Sequence, residues 1–150
     1  MNISMDQKLT DITPAEQSGP ELLLAEKIHA GFPSPAPDYT ERIDITREIV
    51  QHPETTFYAR IDGDSMQDAG IFSGDLVVID RSLSANNGDY VAAYIDGEFT
   101  IKEFQNDPKD NCAWLIPHND KYPKIRVNEE NAFIIWGVIT HTIHAIKHPY

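Results

Sequence analysis

The sequence is poor in cysteine, in basic residues and in long hydrophobic runs. Cys112 is the only cysteine among 150 residues, so an internal disulfide is excluded and a reducing cytoplasm fits the composition. No apolar run approaches the roughly 20 residues that a helix needs to cross a bilayer. The first residues include Asp6 and Asp11 and lack the apolar stretch of a signal peptide. We therefore expect a cytoplasmic protein without a membrane anchor.

Acidic residues outnumber basic residues two to one, which limits the kinds of molecule that the chain can bind. The chain has 12 Lys and Arg against 24 Asp and Glu, a net charge of -12. A nucleic-acid backbone would repel such a chain, so direct DNA binding is not expected, whereas basic protein partners stay open. The length suits one domain with a substantial core.

From residue 55 onward, short apolar runs separated by Gly, Asn, Asp and Pro indicate β-strands. The candidate strands are residues 55–61, 75–80, 89–95, 98–104, 112–117, 124–127 and 133–141. This spacing predicts a mainly β fold, a small twisted sheet or partly open barrel. Before them, Asp44 is a candidate N-cap for a short helix over residues 45–51.

The first 30 residues are interpreted as a flexible polar arm in front of this β domain. Residues 1–20 contain Pro14, Gly19 and Pro20 and show no sustained hydrophobic period, so we expect them to be flexible or to dock as extended chain. Pro20 favours a short helix over residues 21–29. The arm is predicted to be too polar for the core and to fold back over the body.

A serine in a Gly-containing turn is the first candidate for chemistry. Ser65 follows the candidate strand 55–61 within the motif Gly63-Asp64-Ser65-Met66. Gly63 breaks the strand, so the serine hydroxyl can lie at the mouth of a turn rather than on a face of the sheet. Serine in such a turn ordinarily serves only the turn, and it needs a base nearby to act as a nucleophile.

The candidate base is Lys102, in the second strand of a predicted hairpin. Asp96-Gly97 between two apolar runs favours a two-residue type I′ turn. In the resulting register Val91 pairs with Lys102, which shares a face with Ala93 and Thr100. Small and apolar neighbours disfavour the charged form of a lysine, lower its pKa and make it a usable base. A strand lysine without such a role usually extends to water.

Four motifs occur in an order that gives these residues a context. They are Ala30-Gly31-Phe32-Pro33-Ser34-Pro35-Ala36, Gly63-Asp64-Ser65-Met66, Gly74-Asp75-Leu76-Val77-Val78-Ile79-Asp80 and Asp96-Gly97-Glu98-Phe99-Thr100-Ile101-Lys102. This set closely resembles the UmuD branch of the LexA/UmuD self-cleaving serine peptidases, over residues 30–146. The resemblance implies a catalytic dyad of Ser65 and Lys102, a peptidase domain in residues 31–150 and a removable arm in residues 1–30.

The same resemblance implies that the chain cuts its own Ala30-Gly31 bond. Two small residues let the backbone approach a nucleophile closely, and the prolines that follow keep the chain extended, as a protease substrate must be. Ala30 stands where UmuD proteins usually have cysteine, as in bonds of the LexA type. Asp64 is interpreted as a turn-stabilising residue rather than the orienting carboxylate of a triad. Met66 is expected to pack under the turn, with its backbone near the substrate strand.

The resemblance also implies partners but no cofactor. In that family a RecA–single-stranded DNA filament promotes cleavage after DNA damage, as part of the SOS response. The truncated form then joins a UmuC-type Y-family polymerase for error-prone translesion synthesis. Members of the family are homodimers. Residues 133–139 are apolar on both faces, as expected of a strand covered by the body on one side and by a second subunit on the other. The alternative is a fully internal strand of a monomer.

Other functions stay open at this point. A non-catalytic β-rich binding module would use the same strands without chemistry. A LexA-like repressor would need a helix-turn-helix domain before the cut, for which the residues before Gly31 are too few and too acidic, so it would fit only as a fragment lacking that domain. A signal-peptidase-like enzyme would need a membrane anchor.

Metal and cysteine chemistry have little support in the sequence. His141, His144 and His148 are the candidates for a metal site. In a strand, however, His141 and His144 point to opposite faces, and no cysteine or carboxylate completes a ligand set. Cys112 has no neighbouring histidine motif that would support a nucleophile. We therefore expect neither a metal site nor a cysteine nucleophile.

Overall fold

A computed structural model describes residues 8–15, 19, 21–25, 39–128 and 133–147. The strands are β1 Lys8–Pro14, β2 Glu21–Ala25, β3 Tyr39–Asp44, β4 Thr56–Asp62, β5 Leu76–Asp80, β6 Tyr90–Ile95, β7 Glu98–Asp107, β8 Cys112–Ile116, β9 Ile125–Val127 and β10 Phe133–Ile143. The helix α1 spans Ile45–Ile49, and Pro53–Thr55 and Gln67–Ala69 form short 3-10 turns. The fold is mainly β, as predicted. In the described part of the chain no helix is long and apolar enough to cross a membrane.

Eight antiparallel strands form the main sheet, in the order β1-β4-β5-β10-β6-β7-β8-β9. β1 also pairs with β7 at Lys8 and Thr100, so the six strands from β1 to β7 in this order curl into a partly open barrel. β2 and β3 form a separate two-stranded sheet. Every strand predicted from residue 55 onward is present; β7 and β10 continue beyond their predicted ends, to Asp107 and Ile143.

The β6–β7 hairpin has the predicted turn and register. Asp96 and Gly97 have φ angles of 49° and 88°, the pair of positive values that a type I′ turn requires. Val91 therefore pairs with Lys102. Because paired residues share a face of the sheet, the register places Lys102 on the side of Val91 and away from Ile101.

The core lies on both faces of this sheet. Ala92 in β6 belongs to one buried cluster, whose other members include Leu9, Ala59, Ile61, Met66, Ile71, Val77, Ile79 and Ile101. Its neighbours Val91 and Ala93 belong to a second buried cluster with Ala113, Leu115, Val127 and Val138. A strand buried on both faces needs apolar residues at successive positions, which explains the uninterrupted apolar sequence of β6.

Asp44 begins α1 as the predicted N-cap. Its Oδ1 accepts hydrogen bonds from the backbone N–H groups of Thr46 and Arg47 at 2.9 and 3.3 Å. The helix ends at Ile49, two residues before its predicted end. The same carboxylate accepts the backbone N–H of Gly19 at 3.0 and 2.9 Å. It therefore ties the N-terminal part of the chain to the start of the helix.

The N-terminal part differs from the prediction in two respects. Residues 21–25 form β2, antiparallel to β3, so the predicted helix over residues 21–29 is wrong there, and residues 26–29 lie outside the described residues. Pairing with a distant strand overrides the helix propensity of a Leu-rich segment. Leu9 in β1 is only 7% exposed and belongs to the core. The prediction that the arm is too polar for the core is therefore wrong. Docking as extended chain is confirmed for residues 8–14.

Candidate active site

Ser65 lies in the turn that follows β4. The strand ends at Asp62, and Gly63 turns the chain with a φ of 107°, a conformation that glycine adopts without steric cost. The side chain of Ser65 is completely buried. The predicted break at Gly63 is therefore confirmed, but the turn delivers the hydroxyl into the interior rather than to an open mouth.

Lys102 reaches this hydroxyl from the middle of β7. Its Nζ lies within hydrogen-bonding distance of Ser65 Oγ at 3.1 Å, of Thr100 Oγ1 at 2.6 Å and of Ile101 O at 3.1 Å. The whole side chain is 0% exposed. The structure thus brings together a serine and a lysine that are 37 positions apart in the chain.

The surroundings of the Lys102 side chain are those that the register predicts. Val91 pairs with Lys102 and Ala93 pairs with Thr100, and all of these residues are buried. Removing an amine from water disfavours its charged form. A neutral amine at this position is able to accept a proton from the nearby Ser65 hydroxyl.

Asp64, the residue before Ser65, is held by a different part of the chain. Its two carboxylate oxygens accept hydrogen bonds from Lys121 Nζ at 2.6 Å and from Tyr122 OH at 2.5 Å. The hydrogen bond from Lys121, followed by that from Tyr122, holds the pKa of Asp64 below its usual value. The carboxylate thus joins the Ser65 turn to the segment after β8.

The residues His118-Asn119-Asp120-Lys121-Tyr122, here called the 118–122 loop, also hold the backbone of the turn. The His118 N–H donates to Ser65 O at 2.7 Å, and the His118 carbonyl accepts the N–H of Asp68 at 2.8 Å. Asn119 Nδ2 donates to Asp64 O at 2.9 Å. Sequence reasoning missed this loop, because its residues indicate only a turn between two strands.

A second polar group lies between this loop and β7. His118 Nε2 lies 2.9 Å from Glu103 Oε1, and Gln105 Nε2 donates to Glu103 Oε2 at 2.9 Å. The bond from Gln105 lowers the pKa of Glu103; desolvation opposes this shift, and His118 adds to it. Desolvation and the negative charge of Glu103 raise the pKa of Tyr90, whose ring packs against His118. The group ties the 118–122 loop to the strand that carries Lys102.

The other predicted site residues fall in two places. Met66 is completely buried in the core cluster beneath the turn, where its O accepts the N–H of Ala69 at 3.0 Å. Ala30 and Gly31, the residues of the predicted cleavage site, lie outside the described residues. In the sequence they fall in the connection between β2 and β3.

The histidines considered for a metal site have other neighbours. His144 Nδ1 lies 2.5 Å from Asp75 Oδ1, and its ring packs against Phe72. His141 Nδ1 lies 3.0 Å from Thr140 Oγ1, and His148 lies outside the described residues. Within the ranges that the structure describes, no three His, Cys, Asp or Glu residues are grouped so that they could hold a metal ion.

Sequence comparison gives the class of protein to which this chain belongs. The profile of the Peptidase S24-like family matches residues 22–140, so the chain belongs to that family. It is similar to protein ImpA of Salmonella typhimurium, with 41% identity over 139 residues that cover 89% of this chain and 93% of ImpA. Protein MucA of Escherichia coli is 40% identical over 126 residues, 83% of each chain.

A more distant similarity extends to a repressor. The LexA repressor of Carboxydothermus hydrogenoformans is 37% identical over 124 residues, which cover 80% of this chain and 60% of the repressor. The family match over residues 22–140 includes the Ser65 turn and Lys102.

Proposed function

We propose that this chain is a self-cleaving serine endopeptidase that cuts its own Ala30-Gly31 bond. Ser65 is the nucleophile and Lys102 is the general base. The observation that carries the proposal is the buried 3.1 Å contact between Lys102 Nζ and Ser65 Oγ. Membership of the Peptidase S24-like family supports a peptidase, and the resemblance of residues 30–36 to the UmuD-type cleavage region supports this particular bond.

Burial of Lys102 Nζ supports a neutral amine as the acting species. A neutral amine has two N–H donors and one lone pair. Ile101 O can only accept a hydrogen bond, and Thr100 Oγ1 is able to accept one. In the proposed state these two atoms accept the two N–H groups, and the lone pair takes the proton of Ser65 Oγ, 3.1 Å away. Burial favours this state because it disfavours the ammonium form.

The reaction then follows the usual course of acyl transfer. Ser65 Oγ attacks the carbonyl carbon of Ala30 while Lys102 Nζ takes the hydroxyl proton. The C–N bond breaks, the ammonium gives its proton to the amine of Gly31, and residues 1–30 remain as an ester on Ser65. A water molecule, deprotonated by Lys102, hydrolyses the ester and frees the serine.

The same turn is proposed to hold the substrate strand and the developing negative charge. Backbone N–H groups of the turn, that of Ser65 among them, stabilise the oxyanion. The backbone at Asp64 and Met66 lies beside the substrate strand. The bonds of the 118–122 loop to the turn support this arrangement, because they fix the backbone on which it depends.

The biological role that we infer rests on the resemblance to UmuD-type proteins. A RecA–single-stranded DNA filament promotes docking of the cleavable strand, and the cut chain of residues 31–150 serves a UmuC-type Y-family polymerase in SOS mutagenesis. The chain acts as a cytoplasmic homodimer. A net charge of -12 fits protein partners rather than direct contact with DNA.

Intact-mass spectrometry of purified protein, with and without an activated recombinase filament, tests the proposed reaction. Wild-type chain should give fragments 1–30 and 31–150, and Ser65→Ala and Lys102→Ala should give none. Gly31→Glu should also stay whole, because a bulky charge blocks the approach of the backbone to Ser65. The exposed residues Ser84 and Lys109 provide matched controls as alanine variants.

Two results would contradict the proposal. If Ser65→Ala were still cut at Ala30-Gly31, the assignment of the dyad would be wrong. If the wild-type chain stayed whole under every condition while binding its partners, it would be a non-catalytic binding module.

A further inference from the structure

The proposed cleavage site separates strands that are paired with each other. β1 precedes the site in the chain and lies along the edge of β4, which follows it. The pairs run from Lys8 and Asp62 to Pro14 and Phe57. Beyond them, the Ala15 N–H donates to Thr56 O at 2.9 Å. β4 is therefore covered by β1 on one side and by β5 on the other.

Side chains of β1 fix it to the core through a bulge. The register shifts between Thr10 and Thr13, and Asp11 has a φ of 51°. In a regular strand, residues three apart point to opposite faces. The extra residue of the bulge lets both Leu9 and Ile12 pack against the same core cluster. β1 is thus held by a specific spacing of apolar residues as well as by backbone pairing.

A second connection joins the two sides of the proposed cut. β2 precedes the cut and pairs with β3, which follows it, from Glu21 and Asp44 to Ala25 and Tyr39. The N–H of Gly19 also donates to the carboxylate of Asp44. Breaking the bond between Ala30 and Gly31 removes none of these hydrogen bonds.

We propose that residues 1–30 stay bound to the body after cleavage, as a two-strand peptide ligand, and that release of β1 is a separate, later step. The inference rests on the proposed function for the cut itself. Cleavage turns an intramolecular contact into an intermolecular one, so it lowers the effective concentration of the arm but leaves its contacts unchanged. Only departure of β1 exposes the edge of β4.

The edge of β4 is consequently a binding surface for an extended segment, and its occupant is the chain's own β1. An open strand edge pairs with any suitable extended backbone. The position opposite Ile61, filled by the buried Leu9, gives the edge its preference for β1. Any partner that pairs with this edge must first displace β1.

A chain that is cut by an added protease tests this step without relying on self-cleavage. In Ser65→Ala protein, residues 32–37 are replaced by the recognition sequence of a site-specific protease, and the chain is nicked there. Native mass spectrometry at micromolar concentration should find the two fragments together, whereas denaturing conditions should separate them. Prompt dissociation of the N-terminal fragment from the folded body would overturn the proposal.

Two substitutions in β1 identify the contact that retains the fragment. Leu9→Asp puts a charge in the core and should weaken retention at least tenfold, and Leu9→Ala should weaken it less. Thr13→Asp adds the same charge at an exposed position of β1 and should leave retention unchanged. Hydrogen exchange of the β4 amides that face β1 should stay slow after nicking and become fast only with Leu9→Asp. Equal retention in all variants would overturn the role of Leu9.

Discussion

Asn119 supports the backbone beside the nucleophile without touching the reacting atoms. Its Nδ2 donates to Asp64 O at 2.9 Å, so Asn119→Ala should loosen the Ser65 turn and slow self-cleavage by roughly tenfold. The pH at which the rate levels off should not move, because the contacts of Lys102 are unchanged. Cleavage followed by intact mass across pH measures both quantities.

Lys121→Met is the matched comparison in the same loop. Lys121 is 59% exposed in its ion pair with Asp64, and exposed ion pairs contribute little. Its loss should therefore slow cleavage less than that of Asn119. The positioning role of Asn119 would be disproved by a rate equal to wild type, or by a shifted pH profile.

The protonation state of Lys102 sets a second expectation, for the pH dependence of cleavage. Only the neutral amine accepts the proton of Ser65, so the unassisted rate should rise with pH and then level off. Mass spectrometry gives the rate, and circular dichroism confirms that the fold persists. A flat profile from neutral to strongly alkaline pH would argue against a lysine base.

Asp80 gives an expectation for stability that is independent of the catalytic proposal. The residue is 3% exposed and accepts hydrogen bonds from Thr55 Oγ1 at 2.9 Å and Ser82 Oγ at 2.7 Å, with His52 Nδ1 at 2.5 Å. Desolvation favours a higher pKa. The hydrogen bonds, led by that of His52, outweigh it and lower the pKa of Asp80 from 3.8 to about 2.

Because this pKa is lower in the folded chain, the carboxylate stabilises the fold above about pH 4, and the contribution is lost as pH falls towards 2. Asp80→Asn should lower the free energy of unfolding at neutral pH by roughly 2 kcal/mol. It should also flatten the acid dependence. Urea unfolding across this pH range measures both effects, with the exposed Asp68→Asn as control. An acid dependence identical to that of wild type would show that Asp80 does not cause it.

Among the elements, those with local signals could be predicted from the sequence. Asp96-Gly97 predicted the type of turn, and the turn predicted the register of β6 and β7. This register places Lys102 opposite Val91. The contact between Lys102 and Ser65 needed the resemblance as well, because residues that are 37 positions apart are joined by packing and not by a local pattern.

The missed elements depend on partners that are distant in the chain. Leu22-Leu23-Leu24 has no alternation that would indicate a strand, and it becomes one by pairing with β3. β1 is polar on average, and its place in the sheet depends on a bulge that brings Leu9 and Ile12 to one face. Asn119 acts only through the tertiary position of its loop. None of these contacts leaves a periodic signal.

Gly137 in β10 provides a test at the level of the sheet. A Cβ there would lie 2.6 Å from Ile79 Cγ2 and 3.3 Å from Asp80 O. Ile79 is fully buried, so little room exists for relaxation, and Gly137→Ala should destabilise the fold by about 1–3 kcal/mol. In an Ile79→Ala background the same change should cost less, because the obstructing methyl group is gone. Urea unfolding of the four proteins gives the comparison, and equal costs in both backgrounds would contradict it.

At the scale of the whole molecule, the surface of the sheet bears an apolar pair. Ile134 in β10 is 60% exposed, and its cross-strand neighbour Tyr94 in β6 is 36% exposed. β10 is therefore partly exposed. A monomer of the alternative kind would instead require a strand that is internal along its whole length. Exposed apolar residues on adjacent strands fit the proposed contact with a second subunit.

The proposed homodimer should exist before and after cutting, so that cutting changes its partner and not its fold. Sedimentation should report a dimer for full-length Ser65→Ala and for cut protein from which the arm has been removed. Ile134→Glu should give a monomer in both states, because it buries a charge in the contact. Thr142→Glu, exposed on the same strand, should leave the dimer intact.

In a pull-down, a UmuC-type polymerase should retain more of the arm-free dimer, since the edge of β4 is covered while β1 is in place. A monomeric cut form, or equal binding of both forms, would show that the arm is not the switch.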